Sequence, residues 1–178
     1  MGCASRHAVA VDETSPGGGT AGQFVKVIFE LPQDDDGWPP AGSEGLWAVP
    51  VTPDVVRLDN TPFFVRGVAA GDLIRVRRGD DGQLHTGERL GWSGHCTIRI
   101  IVFRDGPLGG SRQRVLDMFA PLGVTGEGIE RFAMVALDLP PDADIAAAKR
   151  LLREGQRGGW WEYEEGCIGD AWQAVELG

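Results

Sequence analysis

Two cysteines, a histidine and a run of acids sit where a fold could bring them together. SGHC (93–96) ends on His95 and Cys96, and WWEYEEGC (160–167) ends on Glu164, Glu165 and Cys167. A Cys–His–Glu set is nucleophile chemistry. The imidazole withdraws the thiol proton, and a carboxylate orients the imidazole. In that reading Cys167 is the nucleophile, His95 the base and Glu165 the orienting acid. The glycine-flanked stretch Gly166–Gly169 would offer N–H groups to an oxyanion. No longer nucleophile motif accompanies them, and small cysteines at strand ends are ordinary packing. The same residues could form a zinc set of thiolate, imidazole and carboxylate. The C-x-x-C and H-x-x-x-H spacings are missing, so no metal or other cofactor is expected. A Cys96–Cys167 redox pair would need an oxidising compartment.

WWEYEEG carries a second chemistry, that of contact. Trp160 is an aromatic anchor, and Glu162 and Glu164 are acids that pair with Arg99 or face solvent. Buried aromatic anchors carry binding energy, and a negative field speeds capture of a basic partner. The chain has 17 Lys+Arg against 26 Asp+Glu, a formal net charge of −9. That balance argues against a duplex nucleic-acid binder, which needs a basic surplus for phosphates. Arg75, Arg77 and Arg78 form the one basic run and read as a solvated strand face. Asp34-Asp35-Asp36 lacks the alternating ligands and closing glutamate of an EF-hand loop and reads as solvated. Gly67–Gly71 is not a phosphate loop, because no Gly-Lys-Ser/Thr follows.

The elements that would position these groups are short strands first and helices later. FVKVIFELP (24–32) alternates. LWAVPV (46–51) and VVRLDN (55–60) flank a Thr52-Pro53-Asp54 turn, with Pro50 placing the first of them at an edge. DLIRVRRG (72–79) and QLHTGERLGW (83–92) flank Asp80-Asp81-Gly82, a hairpin signal. Five strands without a helix suit a small SH3-like or OB-like barrel. TPFFVRGVAAG (61–71) is an irregular link. One ring of Phe63-Phe64 would plug the barrel, and the other would lie between lobes or line a pocket for a small ligand.

From Cys96 the period changes. Strand 96–103 precedes a helix over 111–123, capped by Ser111 and loosened by Pro121. An extended piece (124–129) and a strand (131–140) follow. A second helix begins at Asp142 or Asp144, buries Ile145, Ala148, Leu151 and Leu152, and stops at Gly155 and Gly158. Strand 160–167 closes a β-α-β-β-α-β order, the ferredoxin-like pattern. The expected fold is therefore α+β. A disordered segment (1–22) precedes a barrel-like lobe (23–93), a ferredoxin-like lobe (94–169) and a tail (170–178). One sheet face would take Ile98, Ile100, Val102, Trp161 and Tyr163 towards the helices. The other, with Arg99, Ile101, Phe103, Trp160, Glu162 and Glu164, would pack on the barrel. The last strand lies antiparallel to the first. Arg99 then faces Glu164, with Cys96 opposite Cys167, or faces Glu162, with Cys167 beside His95. Two-residue slips keep the faces, so both registers stand.

VKVIFELPQDDDGWPP, LWAVPV, VVRLDNTPFFVRGVAAGDLIRV, SGHCTIRI and WEYEEGCIG resemble the bacterial family known as domain of unknown function 4265, over roughly residues 24–169. The resemblance implies no chemistry. It implies an immunity-like binding role, since comparable small bacterial families sit among the immunity proteins of toxin systems.

No apolar run near the start has the length of a signal h-region. None approaches the roughly 20 residues that span a bilayer. Arg6 breaks the myristoylation pattern that Met1-Gly2 begins. Cys3 and His7 are too few to hold a metal. A cytoplasmic protein that binds a protein partner is the leading expectation, and an enzyme working in a cleft between the lobes is the alternative.

Overall fold

The computed structural model describes residues 23–175; the readings of 1–22, with Cys3 and His7, lie outside them. Five strands run in chain order: β1 (Val25–Glu30), β2 (Ser43–Thr52), β3 (Val55–Leu58), β4 (Leu73–Arg78) and β5 (Leu84–Gly91). Each pairs antiparallel with the next, and β5 closes on β1 in parallel to make a barrel. Alternation sends Val27, Phe29, Leu46, Ala48, Val56, Leu58, Ile74 and Val76 into its core. Closure leaves β2 no free edge, which corrects the placing of Pro50. The proline is tolerated because the β2–β3 register shifts between Pro50 and Thr52, where a ladder bond is already lost.

A second sheet follows. Its elements are β6 (Cys96–Val102), α1 (Arg112–Phe119), β7 (Thr125–Ile129), β8 (Met134–Leu139), α2 (Ile145–Arg157) and β9 (Trp161–Cys167). The strand order is β7-β8-β6-β9, with antiparallel neighbours throughout. Ser111 caps α1 by accepting from Arg114 N–H, and Pro121 tightens its end into a 3-10 turn before Gly123. Asp144, not Asp142, caps α2, accepting from Ala147 N–H at 2.9 Å. β8 begins three residues later than expected, because a 3-10 turn (Glu130–Phe132) and left-handed Ala133 intervene.

Two further corrections concern packing. Gly155 does not stop α2; it lies buried within it. A Cβ there would overlap the Trp161 indole, so glycine lets helix and strand approach. Residues 170–174, read as tail, form α3 (Asp170–Ala174), whose Trp172 is fully buried in the helix-side core. Lys149 Nζ fixes it by donating to the carbonyls of Trp172 and Val175, at 2.7 and 3.0 Å.

The helices α1, α2 and α3 cover one face of this sheet, over Ile98, Ile100, Val102 and Trp161. The opposite face meets the barrel: Ile129, Met134 and Ala136 join the barrel core, along with Phe63 and Phe64. The molecule is thus mixed α+β, a closed five-stranded barrel packed on a four-stranded sheet. Among the described residues no helix is long and apolar enough to cross a membrane.

Candidate binding site between the lobes

Between β3 and β4 the chain has no regular structure, yet most of it is buried. Buried backbone without a ladder must find partners elsewhere. Side chains supply them. The Glu44 carboxylate, itself buried, accepts from the N–H groups of Phe63, Phe64 and Val65 at 2.7, 2.9 and 2.8 Å. From the other lobe, the Arg99 guanidinium donates to the carbonyls of Phe64 and Val65 at 3.0 and 2.6 Å. One segment is therefore held from both sides, its donors by the barrel and its acceptors by β6. Further along, Asp72 accepts from the N–H groups of Ala69 and Ser93, and Thr97 donates to the Val68 carbonyl. Burial pushes the Glu44 carboxyl up, opposed by its three N–H donors and the Arg99 charge. Burial pushes Arg99 down, opposed chiefly by Glu164. Gly166 lies against that guanidinium, where a Cβ would come 2.6 Å from Nη2.

The clamp brings the lobes together at one end of the sheet and leaves the other open. Along the barrel-facing row of β6, Thr97 is fully buried and Arg99 is 5% exposed, but Ile101 is 41% exposed; Phe103, expected on the same face, lies past the end of β6 beside Arg104 and Gly159. On β9 the same progression runs from buried Cys167 to half-buried Glu164 and exposed Glu162. Trp38, on the β1–β2 loop, overhangs the opening and is 39% exposed. Its ring meets Phe64 edge-on at 5.7 Å, and Phe64 meets Phe132 in the same way. Two adjoining hollows result. One, of about 350 Å³, lies between Trp38, Pro39, Phe64, Arg66, Glu30 and Asp34. The other, of about 180 Å³, lies between Trp38, Phe63, Ile101, Met134, Glu162 and Glu164. Arg99 borders both. Both aromatics of the link thus serve the junction: Phe63 lines one hollow and Phe64 the other.

The register of β6 and β9 pairs Arg99 with Glu164, the first of the two alternatives. Glu164 bridges Arg99 at 3.4 Å and Arg66 at 2.6 Å. A shift between Thr97 and Ile98 moves Cys167 opposite Thr97, not Cys96. The thiols are thereby separated. Cys96 packs in the helix-side core, and Cys167 lies on the barrel side, 3.7 Å from Arg89 Nη1. Both are free cysteines. Trp160 is also corrected. It lies before β9 begins, outside the alternation, and packs edge-on to Trp161 in the helix-side core.

The Cys167–His95–Glu165 set is not assembled. His95 Nδ1 stands 2.8 Å from Asp138 Oδ1, and Glu165 accepts from Trp172 Nε1 at 2.8 Å. Burial pushes both thiols up, the opposite of an activated nucleophile. Burial also pushes Asp138 up, opposed by His95. Among the described residues no group of three metal-ligating side chains is placed to hold a metal. Alkylation of Cys96 and Cys167 in the folded protein is expected to be several-fold slower than in urea at neutral pH. Mass spectrometry of labelled peptides checks this. Rapid labelling of Cys167 below pH 7, abolished by His95→Ala, would restore the nucleophile.

Glu44 and Asp72 escape a motif search. Glu44 sits between Ser43 and Gly45 at the start of β2, and Asp72 follows a glycine. Their signal is phase: Glu44 continues the inward set of Leu46 and Ala48, and Asp72 that of Ile74 and Val76.

Residues 44–163, well over half of the sequence, match the model of a family described as Domain of unknown function (DUF4265). The chain belongs to this family. The match starts at Glu44 and takes in the link, Arg99 and Glu162, stopping short of Glu164 and Cys167. No curated protein matches this DUF4265 chain. A crystal structure of a hypothetical protein from Neisseria gonorrhoeae is similar, with a TM-score of 0.67 and 19% identity, over 84% of this chain and 98% of that one. At that identity the likeness concerns the fold alone.

Proposed function

We propose that this DUF4265 protein is a binding protein that holds a basic protein partner against the open end of the lobe junction. The observation that carries the reading is the apolar row the barrel leaves uncovered. Trp38 and Ile101 are large, exposed and set along one opening, while the same strand is sealed two residues earlier at Arg99. Exposed apolar groups gathered in one place, with a polar rim, mark interaction surfaces. The rim is acidic: Glu30, Asp34, Glu162 and Glu164 border the two hollows, against Arg66 and Arg99. An acidic rim in a chain of net charge −9 favours a basic partner. An immunity-like role, holding a basic toxin, is one use of such a surface. A ferredoxin-like reading of the second lobe is supported by its β-α-β-β-α-β order and the sheet order β7-β8-β6-β9.

The test is site-specific photo-crosslinking in the source cells. A photoreactive residue at position 101 is expected to trap a protein that one at exposed Val51, near the end of β2 and outside both hollows, does not. Glu162→Lys should abolish capture while shifting stability by no more than about 0.5 kcal/mol, as is usual for exposed sites. Equal trapping at both positions, or none at 101, would count against the reading.

A further inference from the structure

The smaller hollow is too small for a typical metabolite and well shaped for one side chain. Its volume is about 180 Å³, below the roughly 300–1,000 Å³ of usual small-molecule pockets. Its floor is apolar, made by Phe63, Met134 and Ile101. Its outer rim carries two carboxylates from alternate positions of β9, Glu162 and Glu164, which cross-strand pairing sets on the same face as Ile101 and Arg99. Trp38 forms the remaining wall. A long side chain with an aliphatic stem and a cationic head matches this division. The stem lies on apolar surface while the head reaches the acids, and an indole at the mouth adds cation–π attraction.

The charges at the rim are unequally satisfied. Among the described residues Glu162 has only a neutral donor, the Gln156 amide at 2.5 Å. Glu164 is shared between two arginines. Arg99 is committed to the Phe64 and Val65 carbonyls. Arg66 is a different case: its side chain is 72% exposed, and among the described residues its one ion pair is with Glu164. Exposed pairs of this kind are worth little and exchange readily. A guanidinium from the chain itself therefore already occupies part of the rim, and it is loosely held.

We infer that the hollow under Trp38 receives a single lysine or arginine side chain of the protein partner, with Arg66 competing for the same carboxylate rim. The inference rests on the binding role proposed above and names the chemistry that the surface reads. Electrostatic selection of this kind sets partner choice as much as affinity.

The experiment is an NMR titration of the full chain with three capped amino-acid amides: arginine, lysine and norleucine. The arginine and lysine amides should shift the Trp38 indole N–H and Ile101 methyl signals at millimolar concentration, and norleucine amide should not. Glu162→Gln with Glu164→Gln should weaken binding at least fivefold. Arg66→Ala should strengthen it at least twofold, while Arg114→Ala, the same charge change on remote α1, should leave it unchanged. Equal shifts with norleucine amide, absent shifts with all three, or equal gains from Arg66→Ala and Arg114→Ala would overturn the inference. Should crosslinking at position 101 still trap a partner in that event, the cation site fails and the binding role stands. Should the amides bind while crosslinking traps nothing, the hollow reads cations but the partner is not a protein.

Discussion

Glu44→Ala is expected to cost about 3–5 kcal/mol of stability, because it orphans three buried N–H donors at roughly 1–3 kcal/mol each. Those of Phe63, Phe64 and Val65 point at this one carboxylate, and the surrounding core offers no substitute. The loss is a large share of the roughly 5–15 kcal/mol that holds a domain folded. It should appear as a fall in Tm of roughly 10 °C or more. Glu44→Gln should lose less. It keeps one acceptor oxygen, but its amide nitrogen faces a donor. Urea denaturation of the three proteins checks the order. An alanine variant within about 1 kcal/mol of wild type would mean that water satisfies these amides and the clamp is not structural.

Arg99→Leu should cost a similar amount, about 3–5 kcal/mol, as expected when one side of a buried charged network is removed. Leucine keeps most of the packing and none of the donors. The Phe64 and Val65 carbonyls then lose their partner, and among the described residues Glu164 keeps Arg66 alone. Arg99→Lys should not rescue fully, because a point ammonium cannot span two carbonyls as a planar fork does. The two substitutions share Phe64 and Val65, so they should couple. The double variant is expected to lose clearly less than the sum of the singles, with an interaction energy above about 0.5 kcal/mol. Strict additivity would separate the two contacts and dissolve the clamp as a unit. Each variant also predicts a loosened junction, since Arg99 is a main polar tie between β6 and the barrel link.

Much of this was legible in the residues. Alternation marked β1, short runs flanking Thr52-Pro53-Asp54 marked β2 and β3, Asp80-Asp81-Gly82 marked the β4–β5 hairpin, and Ser111 and the Asp142/Asp144 pair marked the helix starts. These signals are local, so they survive without knowledge of the fold. The facing of Arg99 and Glu164 was one of two open registers, and the sheet chose it. The failures were long-range. Cys167 was carried away from Cys96 by a bulge, which leaves no mark in a stretch already rich in glycine and acids. Trp160 was assigned by extending alternation one residue past the true start of β9. Trp172 was missed because a five-residue helix has too little periodicity to announce itself. Gly155 looked like a stop because glycine usually is one, whereas here it is a contact surface for Trp161. Glu44 and Asp72 were the costliest omissions for the site. A buried carboxylate in a strand's inward phase looks, residue by residue, like a solvated loop acid. Only the count of two from Leu46 and from Ile74 separates them.

A cleft whose walls are fixed in advance binds without spending energy on ordering itself. The decisive property is therefore whether the irregular link is as rigid as a strand. Hydrogen exchange measures it residue by residue. The amides of Phe63, Phe64 and Val65 are expected to exchange as slowly as those of Ile98 and Ile100 in β6, opening only with global unfolding. Exchange as fast as at the exposed amides of Asp35 or Asp81 would show a mobile link, and neither the clamp nor the preformed opening beneath Trp38 would stand.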